Sequence, residues 1–159
     1  MARRGVRRTL SGRYAVRLSS PERDLLRGIP SILRSVLDAD DRADPVNRRL
    51  FPSASLEDER QAAAFDALVR DDLERGKREH LEVLERTLDA ERLSEEELTA
   101  WLAAINDVRL VLGVRLGVSE ESTPADFQDD ESRASFALYG YLTWLADDVV
   151  TALSGSLPG

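Results

Sequence analysis

The chain has 159 residues, no cysteine and a formal net charge of −8, a length that suits one domain able to bury a core without disulfides or a structural metal. The absence of thiols excludes disulfide staples, thiolate metal sites, cysteine nucleophiles and any thiol switch within these residues. No run approaches the roughly 18 uninterrupted apolar residues of a membrane span, and MARRGVRRTL carries charge with no apolar run behind it, so the sequence predicts a cytoplasmic protein without a secretory signal.

The charge is unevenly divided. Residues 1–34 hold nine arginines against Glu22 and Asp24, a local +7 that leaves −15 for the remainder. An acidic protein repels nucleic acid at long range, but a basic arm can engage phosphate within a Debye length of about 8 Å. Arg3, Arg4, Arg7, Arg8, Arg13 and Arg17 are therefore the candidate nucleic-acid-binding residues. Arginine also supplies 21 of the 22 basic residues, Lys77 being the only lysine, so the arm partly reflects a chain-wide bias.

Val6 to Leu10 and Tyr14 to Leu18 flank Ser11-Gly12, the turn residues of a tight hairpin. Tyr14, Val16 and Leu18 alternate with Ala15 and Arg17, giving one face for the core and one for solvent. Residues 1–18 thus form a β-hairpin that must pack on helices. The segment 20–153 is the helical body. Its first helix starts at Ser20 as N-cap with Pro21 in the first turn and runs to about Asp38 on a stripe of Leu25, Ile29, Ile32 and Val36, with Leu26, Leu33 and Leu37 alongside. Pro30 predicts a kink or a break.

Residues 38–55 read as a surface loop anchored by Leu50 and Phe51. A long helix from about Leu56 to Asp89 follows, striped by Phe65, Leu68, Val69, Leu73, Leu81, Leu84 and Leu88. Gly76 within it marks close helix contact or a local break. Leu93-Ser94-Glu95-Glu96-Glu97 is a capping box that launches a largely apolar helix, WLAAINDVRLVLGVRLGV, ended by Gly117. Its apolar positions spread beyond one face, which places it at the centre of the core. Residues 118–130 form an acidic loop. A last helix, about Glu131 to Leu153, buries Leu138, Leu142, Leu145, Val149 and Leu153, and residues 154–159 fray.

The fold class is therefore mainly α, a single domain over 1–159 with four to five helices and a short N-terminal hairpin. Polar groups inside the central helix are the strongest site candidates, since ionised side chains are rarely buried without partners. Arg109 can pair with Asp147 or Asp148 of the last helix as a structural clamp. Alternatively Asn106, Asp107 and Arg109 line a polar pocket for a ligand or peptide. His80, the only histidine, lacks companions at ligand spacing and reads as half-buried and structural. The aromatic residues Tyr141 and Trp144 offer a partner face. No phosphate cradle, catalytic triad or metal motif is present in the pattern, so no catalytic residue, cofactor or metal is assigned and no enzyme is expected.

TAWLAAINDVRLVLGVRLGV and YGYLTWLADDVVTAL, together with RRTLSGRYAVRLSSPERDLLRGIPSIL, DPVNRRLFPSA and AFDALVRDDLERGKREHLEVL, resemble a family of small actinobacterial proteins. Many members are known only as a domain of unknown function, and the AosR-type members are described as oxidative-stress-responsive transcriptional regulators. The resemblance implies a regulator that binds DNA, a sigma factor or another regulatory protein. The absence of cysteine from this chain removes the usual reversible thiol couple, so sensing would fall to a partner or be absent. The alternative is an interaction adaptor without DNA contact; under either reading an exposed apolar helix face would suggest a homodimer.

Overall fold

The computed structural model describes residues 4–52 and 59–155. Among them run β1 (Gly5–Arg8), β2 (Tyr14–Arg17), α1 (Ser20–Ala39), α2 (Pro45–Leu50), α3 (Glu59–Thr87), β3 (Arg92–Leu93), α4 (Glu95–Leu116), a short 3-10 turn (Pro124–Asp126) and α5 (Asp130–Ser154). The mainly helical class with an N-terminal hairpin is observed. The hairpin is one strand richer than the sequence predicts, because β3 pairs antiparallel with β2 to give the order β1-β2-β3. None of the described helices is long and apolar enough to cross a membrane.

The hairpin turn differs from a two-residue connection. Thr9 N–H donates to Arg13 C=O at 2.7 Å and Gly12 N–H to Thr9 C=O at 3.1 Å, with Gly12 at φ +82°. Three residues therefore cross the end, the arrangement in which a glycine in the left-handed region restores strand twist. Val6, Tyr14 and Val16 turn inward and are buried.

α1 begins one residue earlier than expected, with Ser19 rather than Ser20 as the cap. The Ser19 side chain accepts from the Glu22 N–H, and the Glu22 carboxylate accepts from the Ser19 N–H at 2.7 Å. The helix runs unbroken through Pro30, which is itself buried beside Ile29 and Leu33; packing offsets the lost donor. Its buried stripe is Leu26, Ile29, Leu33, Val36 and Leu37, while Leu25 is exposed.

The expected 38–55 loop contains α2, capped by Asp44 accepting from Val46 N–H, with Pro45 in the first turn. Leu50 and Phe51 are buried as anchors. In α3 the stripe divides: Leu81, Leu84 and Leu88 are buried, whereas Phe65, Leu68 and Leu73 face solvent, Leu68 at 70%. Gly76 marks neither a break nor a close contact. The helix continues through it, and a Cβ there would meet open space.

α4 lies at the centre and packs against α1, α2, α3 and α5. Its capping box is formed as the sequence predicts, Ser94 accepting from Glu97 N–H at 3.1 Å and Glu97 from Ser94 N–H at 2.8 Å. Gly117 ends it in the left-handed region. Trp101 is fully buried and its Nε1–H donates to Thr87 Oγ1 at 2.7 Å, while Thr87 donates to Val83 C=O. The one polar atom of the largest core side chain is thereby satisfied. The buried apolar residues form one continuous cluster.

The sheet is joined to α5 at its outer edge. Asp148, 7% exposed, accepts from Val6 N–H at 2.7 Å. Gly5 sits at φ +114°, and a Cβ there would lie 2.2 Å from Asp148 Oδ2. Gly5→Ala is expected to cost about 3 kcal/mol through backbone strain and the clash. Gly76→Ala, in a helix with open space, is expected to stabilise by about 1 kcal/mol. Urea denaturation of the two variants checks this opposition of sign.

Candidate functional site

Register places the basic residues of the sheet. Gly5 is paired with Arg17, Arg7 with Ala15, and Ala15 with Arg92. Side chains alternate along strands, so Arg7, Arg17 and Arg92 share the face opposite Val6, Val16 and Leu93. All three are exposed, and among the described residues none makes an ion pair or side-chain hydrogen bond. Other arginines are neutralised: Arg27 with Asp89 at 2.7 Å, Arg34 with Glu85 at 2.6 Å, Arg78 with Asp38 at 2.9 Å. Arg92, which the sequence reading missed, joins the set through a strand too short to show a period. Arg13 sits 4.0 Å from Glu97 and Arg8 is exposed at the edge. Arg3 lies outside the described residues.

Arg4 is a structural peg. Its guanidinium pairs with Glu22 and stacks 4.1 Å from the Trp144 ring centre and 5.9 Å from that of Tyr141. The expected partner face at Tyr141 and Trp144 is thus covered in part by the chain itself. Burial, reinforced by the Glu22 carboxylate, pushes the Tyr141 phenol up to about 12. Burial pushes Glu22 up as well, but its bonds from Arg4 and Ser19 outweigh this and leave it below the usual carboxylate value. Next to this peg is a cleft of about 750 Å³ bordered by Arg17, Arg23, Arg92, Glu22 and Glu91. Arg23 is committed to carbonyls of Val16, Leu88 and Ala90, tying α1 to β2 and the end of α3.

The polar residues of α4 separate into two groups. Asp107 faces α3, where both its oxygens lie 3.2 Å from Lys77 Nζ; the two side chains are 17% and 15% exposed. His80 adjoins the pair in a small cavity of about 260 Å³ that also borders Gly76 and Asp72, and its Nδ1 is buried without a hydrogen-bond partner among the described residues. Burial raises the Asp107 carboxyl above its ordinary value, with Lys77 and then His80 acting in the opposite direction. The only histidine and only lysine of the chain thus converge on one aspartate, a convergence hidden by thirty residues of separation.

Arg109 faces the other way, and Asn106, which borders the cavities on both sides, reaches it. Arg109 Nε donates to Thr143 Oγ1 and Nη1 to Asn106 Oδ1, each at 3.1 Å. The expected pairing of Arg109 with Asp147 or Asp148 is replaced by Thr143, one turn earlier on α5. Asp148 is occupied by Val6 N–H, and Asp147 is exposed. Among the described residues no three His, Asp or Glu side chains group as metal ligands.

The family model for a domain of unknown function, DUF2017, matches residues 3–153. The chain belongs to the DUF2017 family. It is also similar to proteins named Oxidative stress regulator AosR from Mycobacterium tuberculosis strains H37Rv and CDC 1551 and from Mycobacterium bovis, at 38% identity over 64 residues. That alignment spans 40% of this chain and 29% of each relative's length. No solved structure matches the chain. For this DUF2017 member the family expected from the sequence motifs is the family found.

Two stability tests follow from opposite linkage signs. Glu22 titrates below its unfolded value, so its contribution is present above about pH 4.5 and is lost as pH falls through the folded value. Glu22→Gln should cost about 1–2 kcal/mol at neutral pH, and the difference from the parent should shrink in denaturation series carried to acid pH. Asp107 titrates above its unfolded value, so its favourable term belongs to the protonated form and is lost as pH rises through the folded value. Asp107→Leu alone should cost about 3 kcal/mol by stranding Lys77, whereas Lys77→Met with Asp107→Leu should recover most of that loss. A double-mutant cycle in urea measures the recovery.

Proposed function

We propose that this protein is a cytoplasmic, non-catalytic regulator linked to oxidative stress, acting by binding a polyanionic target through the arginine face of its sheet. The observation that carries the reading is the set Arg7, Arg17 and Arg92, exposed together and unneutralised in a chain of net charge −8. Strand register places three arginines on one sheet face, and their guanidinium groups suit phosphates or clustered carboxylates. The names of the mycobacterial relatives support the regulatory context. These residues contain no cysteine and hence no thiol couple, so the role is redox-independent in this chain or depends on a partner that senses the oxidant.

Duplex DNA is the first target to test, by fluorescence anisotropy over a salt series from about 50 to 300 mM. Arg7→Ala, Arg17→Ala and Arg92→Ala combined should reduce the log–log salt slope by about two to three and weaken binding at every sequence tested. Arg4 is left intact because it holds Glu22 and Trp144. The adaptor reading, a sigma factor or other regulatory protein without DNA contact, is favoured by the net negative charge, which opposes autonomous DNA binding. It expects no DNA binding at low salt and a partner captured from extract by the parent but lost with the triple variant. A triple variant that keeps every interaction of the parent overturns both.

A further inference from the structure

Arg109 is half-buried and its guanidinium has only neutral hydrogen-bond partners. Thr143 Oγ1 and Asn106 Oδ1 accept from it, and Thr143 spends its own proton on the Tyr139 carbonyl at 2.8 Å. Among the described residues Arg109 makes no ion pair. A partly desolvated cation held by two neutral acceptors is oriented but not neutralised. Its environment makes the imbalance larger. Arg109 borders an open cleft of about 630 Å³ between α4 and α5 whose lining also includes Arg49 and contains neither Asp nor Glu.

The remaining walls are apolar. The Tyr139 ring centre lies 5.7 Å from the Arg109 guanidinium carbon. Gly113 lets that ring approach α4, since a Cβ there would stand 3.2 Å from it. Tyr139 and Val118 also border a second depression of about 500 Å³, where Phe136 lies beside Ser119, Ser122 and the one carboxylate of its lining, Glu120, with Phe136 stacked on Tyr139 at 6.5 Å between ring centres. Two cations and one aromatic ring thus border a single cleft, within the size range of small-molecule sites.

We infer that this cleft binds a small organic anion, a carboxylate or phosphate group carried on an apolar or aromatic body. Arg109, fixed by Thr143 and Asn106, holds the anionic group in its planar fork, Arg49 supplies the second charge, and Tyr139 faces the body. The site lies on helices α2, α4 and α5, separate from the arginine face of the sheet, so it stands whether or not that face binds DNA.

Calorimetric titration of the full chain with phenyl phosphate and with benzoate tests the inference, and the two arms distinguish a phosphate from a carboxylate ligand. Saturable binding of at least one is expected, weakened about tenfold or more by Arg109→Gln and several-fold by Arg49→Ala. Arg49 is exposed, so its variant keeps the assay informative if Arg109→Gln disturbs the fold. Benzyl alcohol, which lacks the charge, and inorganic phosphate, which lacks the ring, should each bind more weakly than phenyl phosphate. The triple sheet variant should bind these probes as the parent does. Absence of saturable binding for both aromatic anions up to about 5 mM overturns the proposal, as does affinity unchanged in both arginine variants.

Discussion

The bond from Val6 N–H to the buried Asp148 carboxylate joins the two parts of this architecture. A three-stranded sheet of two- and four-residue strands has little independent stability, and it presents an outer edge of unpaired backbone groups on β1. Asp148 closes part of that edge while fastening it to α5 at 2.7 Å. A hydrogen bond to an ionised group contributes about 1.5–3 kcal/mol, and the same carboxylate left buried and unmatched would cost more. Gly5 is the geometric condition for this approach, since any Cβ would occupy the place of the oxygen. The arginine face therefore has a fixed position because an aspartate on a distant helix holds the strand behind it.

The central helix α4 divides its polar residues by direction. Toward α3, Asp107 is matched by Lys77 in a partly desolvated ion pair, where burial still dominates the carboxyl. Toward α5, Arg109 finds only a hydroxyl and an amide. The first arrangement is electrically closed and couples two helices; the second is open and leaves net positive charge beside a cleft. These two environments lie within about one turn of one helix, and only tertiary packing tells them apart.

That difference also marks what could be read from the sequence. Ser94 with Glu97 and the terminal Gly117 were legible because caps are local, set by backbone groups within a turn. The centrality of α4 was legible because its apolar residues exceed one face. Pro30 does not break α1, since local strain competes with the packing of a buried helix and does not alone decide where it ends. α2 was concealed in a polar stretch although Asp44-Pro45 carries a helix-start signature, and β3 is too short for any periodicity. The grouping of Arg92 with Arg7 and Arg17 required strand order, and the choice of Thr143 over Asp147 or Asp148 required the rotation of α5, neither of which a linear pattern encodes.

Lys77 gives the arginine bias of the chain a chemical consequence. Guanidinium groups are poor nucleophiles at neutral pH because they stay protonated, so among side chains the amine-directed reactions open to these 159 residues converge on one nitrogen. The Lys77 side chain is 15% exposed and its nitrogen is engaged with Asp107. Acylation would remove its charge and leave the carboxylate facing a neutral amide in a partly buried position. Covalent modification of this amine is therefore thermodynamically linked to separation of α3 from α4: whatever loosens that contact exposes the amine, and whatever acylates the amine weakens the contact.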